Sequence, residues 1–175
     1  MNGTDAHEEP GEEILATYGA HSNDKLLVHY GFVCATTLGF PNHDDDIRLD
    51  HVLLPTLSEA VRSQLQDVGF LGGYALLLAT NELCFKTQVA VRAMLLTCNE
   101  WEYFVANGED LAEDESTAVE KYMAPLLRSY LVDASGQLNV VRSRKRETTD
   151  QTNELTLLET RWMQIVDSLN AFLAA

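Results

Sequence analysis

The residues whose types suit chemistry are concentrated between Gly11 and Val33, where the sequence reads GEEILATYGAHSNDKLLVHYGFV. Within this stretch the tyrosine and phenylalanine residues are Tyr18, Tyr30 and Phe32. A tyrosine hydroxyl has an ordinary pKa of about 10, so it stays protonated at neutral pH and positions other groups by hydrogen bonding. On residue type alone, Tyr18 is an ordinary half-buried aromatic of a strand.

The elements that would position these residues are a strand, a turn and a short helix. The residues of 14–18, ILATY, favour a strand, which Gly19 ends. Residues 22–24, Ser-Asn-Asp, then offer a helix cap before the leucines at 26 and 27.

The same residues resemble a known protein family. Gly-Glu-Glu at 11–13, Tyr-Gly at 18–19, Ser-Asn-Asp at 22–24 and His-Tyr-Gly-Phe-Val at 29–33 are similar to the carboxy-terminal end of a SET domain. More narrowly, they resemble the SET methyltransferases of the Rubisco large-subunit methyltransferase type, in which a helical substrate-binding domain follows the SET fold directly.

The resemblance implies a protein-lysine N-methyltransferase that uses S-adenosyl-L-methionine and acts on a protein substrate. It implies a catalytic role for Tyr18, a cofactor contact at Phe32, and a lysine channel lined by Tyr18, Tyr30 and Ala16. Ala16 stands where the family usually has a larger apolar or aromatic residue, which leaves one wall of the channel thinner. The alternative for Tyr30 and Phe32 is ordinary core packing.

The family's other cofactor contacts, a glycine-containing segment and an Asn-His pair, precede the catalytic strand. Residues 1–10, MNGTDAHEEP, contain neither. The resemblance therefore implies an enzyme fragment that carries the tyrosine segment and the substrate-binding domain, is inactive alone and binds the cofactor negligibly. A free-standing helical protein-interaction module without catalysis is the main alternative. A structural subunit that pairs through an exposed helix seam is a third.

Composition and charge limit the classes of protein to which this chain could belong. The chain has 175 residues and a formal charge of −15, from 12 basic and 27 acidic residues, which disfavours nucleic acid as a partner. Three cysteines without metal-ligand spacing indicate reduced, buried thiols in a cytoplasmic or nuclear protein. No apolar run approaches the roughly 20 residues of a membrane helix. The resemblance implies a protein substrate as partner. From composition and cysteine spacing we expect no metal and no membrane contact, and the oligomeric state stays open.

The composition changes after Val33 and suggests three segments. We predict an unassigned leader over 1–10, the end of a SET domain over 11–40, and a helical substrate-binding domain over 41–175. The boundary falls near His43-Asp44-Asp45-Asp46, which we interpret as a solvated turn. Contiguous aspartates cannot all converge on one metal ion.

The predicted fold is mainly α, a helical bundle with a short hairpin. Alternating residues over 47–53 predict a strand with His51 pointing inward, and the apolar run 72–79 predicts a second strand paired with it. Between them, Ser58 caps a short helix that ends at Gly69 and has one apolar face, formed by Val61, Leu65 and Val68.

From Asn81 onward the pattern is helical. Two adjoining stripes predict a central buried helix interrupted by Arg92. One stripe contains Phe85, Val89 and Leu96, and the other contains Cys84, Val91, Leu95 and Cys98. Asn99 is then the predicted cap of a short helix that bears Trp101 and Phe104 and closes at Asn107-Gly108.

Two further helices complete the prediction. The first opens in the acidic run 109–120 with Thr117 and Glu120 at capping-box spacing, is kinked or broken at Pro125, and ends at 133–136. The basic residues of 142–146 are interpreted as a solvated connection, with a nuclear-localisation or acidic-partner patch as the alternative. The last helix has a heptad seam that packs lengthwise on another helix. Its members are Leu155, Leu158, Trp162, Ile165, Leu169 and Phe172.

Overall fold

A computed structural model of the chain describes residues 19–34, 42–109, 115–147 and 152–174. Ala16, Tyr18 and the strand predicted around them lie outside these ranges. The described elements are α1 (Asn23–Tyr30), β1 (Asp46–Arg48), α2 (Asp50–Leu53), α3 (Glu59–Asp67), β2 (Ala75–Leu77), β3 (Glu82–Leu83), α4 (Phe85–Leu95), α5 (Cys98–Asn107), α6 (Glu115–Glu147) and α7 (Thr152–Ala174). The predicted mainly α fold with a short hairpin is confirmed. The boundary near residue 41 stays a prediction.

The sheet is small and antiparallel, in the order β1-β2-β3. Ile47 pairs with Leu76, which confirms the predicted pairing of the two apolar segments, although each strand is only three residues long. A four-residue turn joins Leu77 to its partner Glu82 in β3, and this third strand occupies the place where the sequence predicted helix. Asn81 adopts a left-handed φ of 58° at the end of that turn.

The strand predicted over 47–53 ends at Arg48. Beyond it the side chain of Asp50 accepts the hydrogen bonds of backbone N–H groups that precede β2. The Asp50 carboxylate accepts hydrogen bonds from the backbone N–H groups of Gly73 (2.7 Å) and Tyr74 (3.3 Å). Asp50 also begins the short helix α2, where a carboxylate suits the helix amino end. The alternation of buried and exposed residues therefore does not continue into α2. His51, which was predicted to point inward, is exposed, and its ring makes an edge-type contact with the Tyr130 ring.

Helices α3 and α4 are positioned largely as predicted. The Ser58 hydroxyl accepts from the Val61 N–H at the start of α3, and Gly69 follows the helix with a φ of 78°. Helix α4 buries Val89 and Val91, but the stripe prediction is wrong at its ends. Phe85 and Leu95, the first and last residues of α4, are exposed, and so is Cys98, which belongs to α5.

The cap of α5 is two residues earlier than predicted. Thr97, and not Asn99, is the cap, and it forms a reciprocal capping box with Glu100. The Glu100 carboxylate accepts from the Thr97 N–H at 2.8 Å, and this hydrogen bond is the main reason that the pKa of Glu100 lies below its ordinary value. The predicted end at Asn107-Gly108 is confirmed, with Gly108 at a φ of 75°.

Helix α6 is one uninterrupted element from 115 to 147, where the sequence predicted a cap, a kink and an end. Thr117 and Glu120 lie within it, and so does Pro125 on its exposed side. Gly136 continues the helix because buried residues on both sides of it, Ala134 and Leu138, belong to the same packed face. Packing along a long partner thus outweighs the local helix-ending residues.

That partner is α7, and the two form an antiparallel pair. Glu120, near the start of α6, lies beside Phe172 at the end of α7, and Arg142 and Lys145 contact Glu159 at the other end. The predicted seam of α7 is confirmed at Leu155, Ile165 and Leu169, which are buried, whereas Leu158 is exposed. The prediction that the basic residues 142–146 form a solvated connection is wrong, because these residues form the last turns of α6. None of the helices in the described ranges is apolar over a length that could cross a membrane.

Candidate functional site

Helix α1 and the reversal that follows it carry the two described candidate residues. Gly31 ends the helix at a left-handed φ of 73°, and its N–H donates to the Leu27 carbonyl. A side chain at this φ would be strained, so the glycine between Tyr30 and Phe32 has a conformational reason. The reversal places one ring at the last helical position and the other just beyond the turn.

The structure brings Tyr30 and Phe32 together with two histidines. The Tyr30 and Phe32 ring centroids are 6.4 Å apart, His21 stacks on Tyr30 at 6.3 Å, and His29 meets it at 6.5 Å. Tyr30 is 46% exposed and Phe32 is half-buried. This aromatic cluster is at the surface, so ordinary core packing does not account for Tyr30.

The amino end of α1 is held by a residue from another part of the chain. The sequence predicted a local cap at 22–24, yet Ser22 makes no side-chain cap hydrogen bond. Instead the Asp45 carboxylate accepts from the Asn23 N–H at 2.8 Å and from the Asn23 side-chain amide at 3.0 Å. Asp45 is 3% exposed, so its interpretation as part of a solvated turn is wrong.

Asn23 itself joins three segments. Its side-chain oxygen accepts from the Cys34 N–H at 3.2 Å and from Asn42 at 3.1 Å, and its amide donates to Gln164 at 3.0 Å. Gln164 in turn donates to the Cys34 carbonyl at 2.8 Å. The chain that leaves the aromatic cluster is thereby tied to the first residue of α1 and to α7.

Arg161 of α7 completes the arrangement. Its guanidinium donates to Asp45 and to Asp24 at 2.7 Å each and to the Asp46 carbonyl at 2.9 Å, and only 3% of its side chain is exposed. We call Asn23, Asp24, Asp45, Arg161 and Gln164 the Arg161 cluster. A fixed guanidinium fork that meets two carboxylates gives geometric precision that a lysine could not.

The Arg161 cluster has more negative than positive charge. Burial raises the pKa of Asp45 above its ordinary value of 3.8, and the nearby Arg161 only partly opposes this. Burial lowers the pKa of Arg161, but hydrogen bonding to Asp24 and the charge of Asp45 outweigh burial and raise it. One guanidinium therefore serves two carboxylates, and Asp45, the more buried of the two, holds its proton more tightly than a free aspartate does.

A cavity of about 410 Å³ lies beside the Arg161 cluster. Its lining residues are Asn23, Cys34, Asn42, His43, Asp45, Leu78, Ala79, Gln164, Asp167 and Ser168. Within the described ranges, no three His, Cys, Asp or Glu side chains are placed to hold a metal ion. The polar groups of the cluster mostly bind one another, so its evident effect is to hold α1 in place.

Sequence reasoning missed the Arg161 cluster. Asn23 and Asp24 were assigned to a local cap, Asp45 to a turn, and Arg161 was passed over beside Trp162 of the heptad seam. The available signal was a charged residue next to an apolar seam, which needs a partner when it is buried. Its partners lie more than 100 residues away and no local pattern identifies them.

The comparisons with known proteins give one similar protein. Over 92 residues, 53% of this chain, the sequence is 34% identical to the ribosomal lysine N-methyltransferase set11 of Schizosaccharomyces pombe. The match covers 22% of that relative, so the chain spans less than a quarter of its length. No family model matches the chain. No solved structure matches it either. The similarity supports a relation between this chain and SET-type lysine methyltransferases.

Proposed function

We propose that this chain is part of a SET-type protein-lysine N-methyltransferase of the Rubisco large-subunit methyltransferase type. It contributes the end of the SET domain, with Tyr18, and the helical domain that binds the protein substrate. The observation that carries the proposal is the similarity to a lysine methyltransferase in a chain whose HYGFV segment forms a surface aromatic cluster.

Each candidate residue has a role that its chemistry suits. The Tyr18 hydroxyl, protonated at neutral pH, positions the lysine amine and the transferred group. Tyr30 and Ala16 line the lysine channel, which strips water from the amine before it attacks. Phe32 contacts the cofactor. Because Tyr30 and Phe32 are adjacent in space across Gly31, one short turn serves both the channel and the cofactor.

S-adenosyl-L-methionine supplies a sulfonium-bound methyl group when it is bound. The described residues fit one wall of a site for it, since aromatic faces attract a sulfonium cation. The remaining contacts, to the carboxylate and the adenine, belong to the upstream motifs that residues 1–10 do not contain. We therefore expect the 175-residue polypeptide alone to bind the cofactor negligibly. A micromolar dissociation constant in calorimetry, about 8 kcal/mol of binding free energy, would contradict that expectation.

The Arg161 cluster supports the proposal by linking the two parts of the chain. Helix α1 follows Tyr18 in sequence and carries Tyr30 at its last position, and its first turn is fixed to α7 through Asp45 and Arg161. Fixing the segment that carries Tyr30 in this way suits the pre-organisation of a residue at a reacting site.

The acceptor we propose is a lysine of a ribosomal protein. The relative is named for ribosomal lysine methylation, and the acidic charge of this chain suits a basic partner.

The decisive experiment measures transfer in a chimera that joins the S. pombe relative, up to its counterpart of Gly11, to residues 11–175 of this chain. Radiolabelled methyl transfer to ribosomal proteins is expected. Tyr18→Phe removes one hydroxyl and keeps the ring, and it should lower turnover by about two to three decades, or ~3–4 kcal/mol. The melting temperature should change little. Tyr103→Phe, at a tyrosine exposed on α5, is the matched control.

Two results would contradict the proposal. One is a folded chimera that transfers no methyl group to any ribosomal protein. The other is normal turnover in the Tyr18→Phe variant, which would return that residue to the role of a strand aromatic. If the chimera is inactive while the chain alone binds partner proteins, the interaction-module alternative gains.

A further inference from the structure

An apolar groove lies among the residues that follow α3, the start of α4 and one face of α5. Its walls include Phe70, Phe85, Val89, Trp101, Phe104 and Val105. The Phe70 and Phe85 rings meet edge to face with centroids 5.7 Å apart, and Trp101 lies 6.0 Å from Phe104. The groove is therefore built from rings held against one another.

Part of this surface is exposed to a degree that core packing does not explain. Phe85 is 57% exposed and Val105 is 49% exposed, whereas Trp101 and Phe104 between them are buried. Clustered exposed apolar side chains around a buried aromatic floor are typical of a protein-interaction site. The groove has a volume of about 170 Å³, below the roughly 300 Å³ at which ordinary small-molecule pockets begin. It has room for a single large side chain.

The charged residues next to the groove are mostly acidic. Asp67 directly precedes the groove residue Val68, Glu109 directly follows Gly108 at the other end, and Glu102 lies one turn before Val105. All three are exposed, and no ion pair joins any of them to another described residue.

The two nearby cations do not neutralise this rim. The Lys86 side chain lies along Gly73, away from the groove. Its Nζ is 3.7 Å from the position that a Cβ atom would occupy at residue 73. The Arg92 guanidinium lies 5.4 Å from the centroid of the Phe104 ring and is buried. The rim therefore presents negative charge around an apolar centre.

We infer that this groove docks a basic segment of a partner protein that inserts one large apolar side chain between Phe85 and Val105. Lysines or arginines that flank this side chain meet Asp67, Glu102 and Glu109. The inference rests on the proposed function only in taking the partner to be the protein acceptor, whose docking segment is then distinct from the methylated lysine.

A second copy of the chain is a poor occupant. The chain carries a net charge of −15, and the groove rim has the same sign, so two copies repel each other at low salt. A basic partner has the opposite preference, and electrostatic complementarity raises its rate of association.

The test uses a short lysine-and-serine peptide with one central phenylalanine, titrated into the 175-residue chain without cofactor. Trp101 in the groove reports binding by fluorescence once Trp162→Phe has removed the other tryptophan, and calorimetry gives a label-free dissociation constant. Two comparison peptides replace the phenylalanine by serine or every lysine by glutamate. The phenylalanine-lysine peptide is expected to bind at least about tenfold more tightly than either.

Variants locate the site. Phe85→Ser is expected to weaken the peptide by about tenfold or more, with little loss of stability because that ring is mostly exposed. Val132→Ser, at an exposed valine on α6, is the matched control. Neutralising Asp67, Glu102 and Glu109 together should weaken binding and remove most of its salt dependence. Glu154→Gln, at an exposed carboxylate of α7, is the control for charge.

Each alternative outcome overturns the inference. Equal binding of the serine or glutamate peptide would show that the groove recognises neither feature. Unchanged binding in the Phe85→Ser variant would place the site elsewhere. Self-association that Phe85→Ser abolishes, seen by sedimentation, would make a second copy the occupant. The peptide titration contains no methyl donor, so it is independent of methyl transfer. The groove inference can be contradicted while the chimera transfers methyl groups, and the proposed function can be contradicted while the groove binds the peptide.

Discussion

Arg161 and Asp45 form a buried ion pair, with Nη1 2.7 Å from Oδ2, that joins the terminal helix α7 to the residue preceding β1 across 116 positions of sequence. Both side chains are 3% exposed. Asp45 in turn caps α1 through the Asn23 N–H. Through these two residues the last helix of the chain determines where the segment that carries Tyr30 and Phe32 begins.

Removing the cation should be costly. In the Arg161→Met variant Asp45 stays buried without its counter-ion, and we expect a loss of about 3–5 kcal/mol in the free energy of unfolding. Urea denaturation measures it. Replacing both residues, Arg161→Met with Asp45→Leu, should recover part of the loss because no buried charge is then left unpaired. Arg142→Met, which breaks the exposed pair with Glu159, should cost about 1 kcal/mol or less.

An unchanged stability of the Arg161→Met variant would contradict this prediction. If this variant is as stable as Arg142→Met, then Asp45 is either protonated or hydrated without Arg161, and the ion pair does not hold α1.

Stability should depend on pH through Asp45 in an unusual direction. Its folded pKa is raised above the ordinary 3.8, chiefly by burial, with Arg161 opposing and Asp24 adding to the rise. The folded state then binds the proton more tightly than the unfolded state. The stability that Asp45 contributes is therefore fully present below 3.8 and is lost as the pH rises through its folded pKa.

The measurement is the difference in unfolding free energy between wild type and Asp45→Asn, which cancels titrations that both proteins share. This difference should shift in favour of wild type as the pH falls from about 7 to about 4. The pKa of Asp46 is raised chiefly by burial and also by the charge of Asp45, so Asp45→Asn lowers the pKa of Asp46 and moves the difference in the same direction. A shift in favour of Asp45→Asn on acidification would mean that pairing with Arg161 outweighs burial.

The cap of α5 can be tested with two neighbouring residues. Thr97→Ala removes the capping box with Glu100 and should lower the free energy of unfolding by about 1 kcal/mol. Asn99→Ala, at the residue that the sequence pattern favoured as the cap, should change it by no more than about 0.5 kcal/mol. Thermal denaturation of both variants decides, and the reverse order would place the cap at Asn99.

Tyr74 is wholly buried, and its hydroxyl lies close to the Gly72 backbone without a well-formed hydrogen bond to any described residue. An unsatisfied buried hydroxyl costs about 1–3 kcal/mol, so Tyr74→Phe should leave the free energy of unfolding unchanged or raise it by about 1 kcal/mol. Tyr103→Phe on the surface of α5 is the neutral control. A clear loss of stability in Tyr74→Phe would show that the hydroxyl has a partner in the folded protein.

Features that depend on neighbours a few residues apart could be predicted. The Ser58 cap and the glycine after α3 follow from side-chain hydrogen bonding and from backbone conformation, and both are local. The heptad pattern of α7 is likewise a statement about one face of one helix, and Ile165 and Leu169 are buried as expected. The pairing of Ile47 with Leu76 followed from two apolar segments of strand length.

The ends of elements were the commonest errors. Pro125 and Gly136 both predict an interruption, yet α6 passes through them because its buried face packs along α7. His51 was assigned to the core by alternation, but Asp50 bonds the backbone of Gly73 and changes the local structure from strand to helix. In each case a contact made after folding outweighed a local preference.

The family resemblance singled out Tyr30 and Phe32 from the sequence, because the HYGFV motif that carries it is a run of adjacent residues. Only the folded chain shows that Asp45 caps α1 and that Arg161 holds Asp45. A carboxylate in an Asp-rich run is indistinguishable by type from its solvated neighbours. Burial and a partner 116 residues away separate Asp45 from Asp44, because desolvation and charge pairing act through space and leave no local pattern.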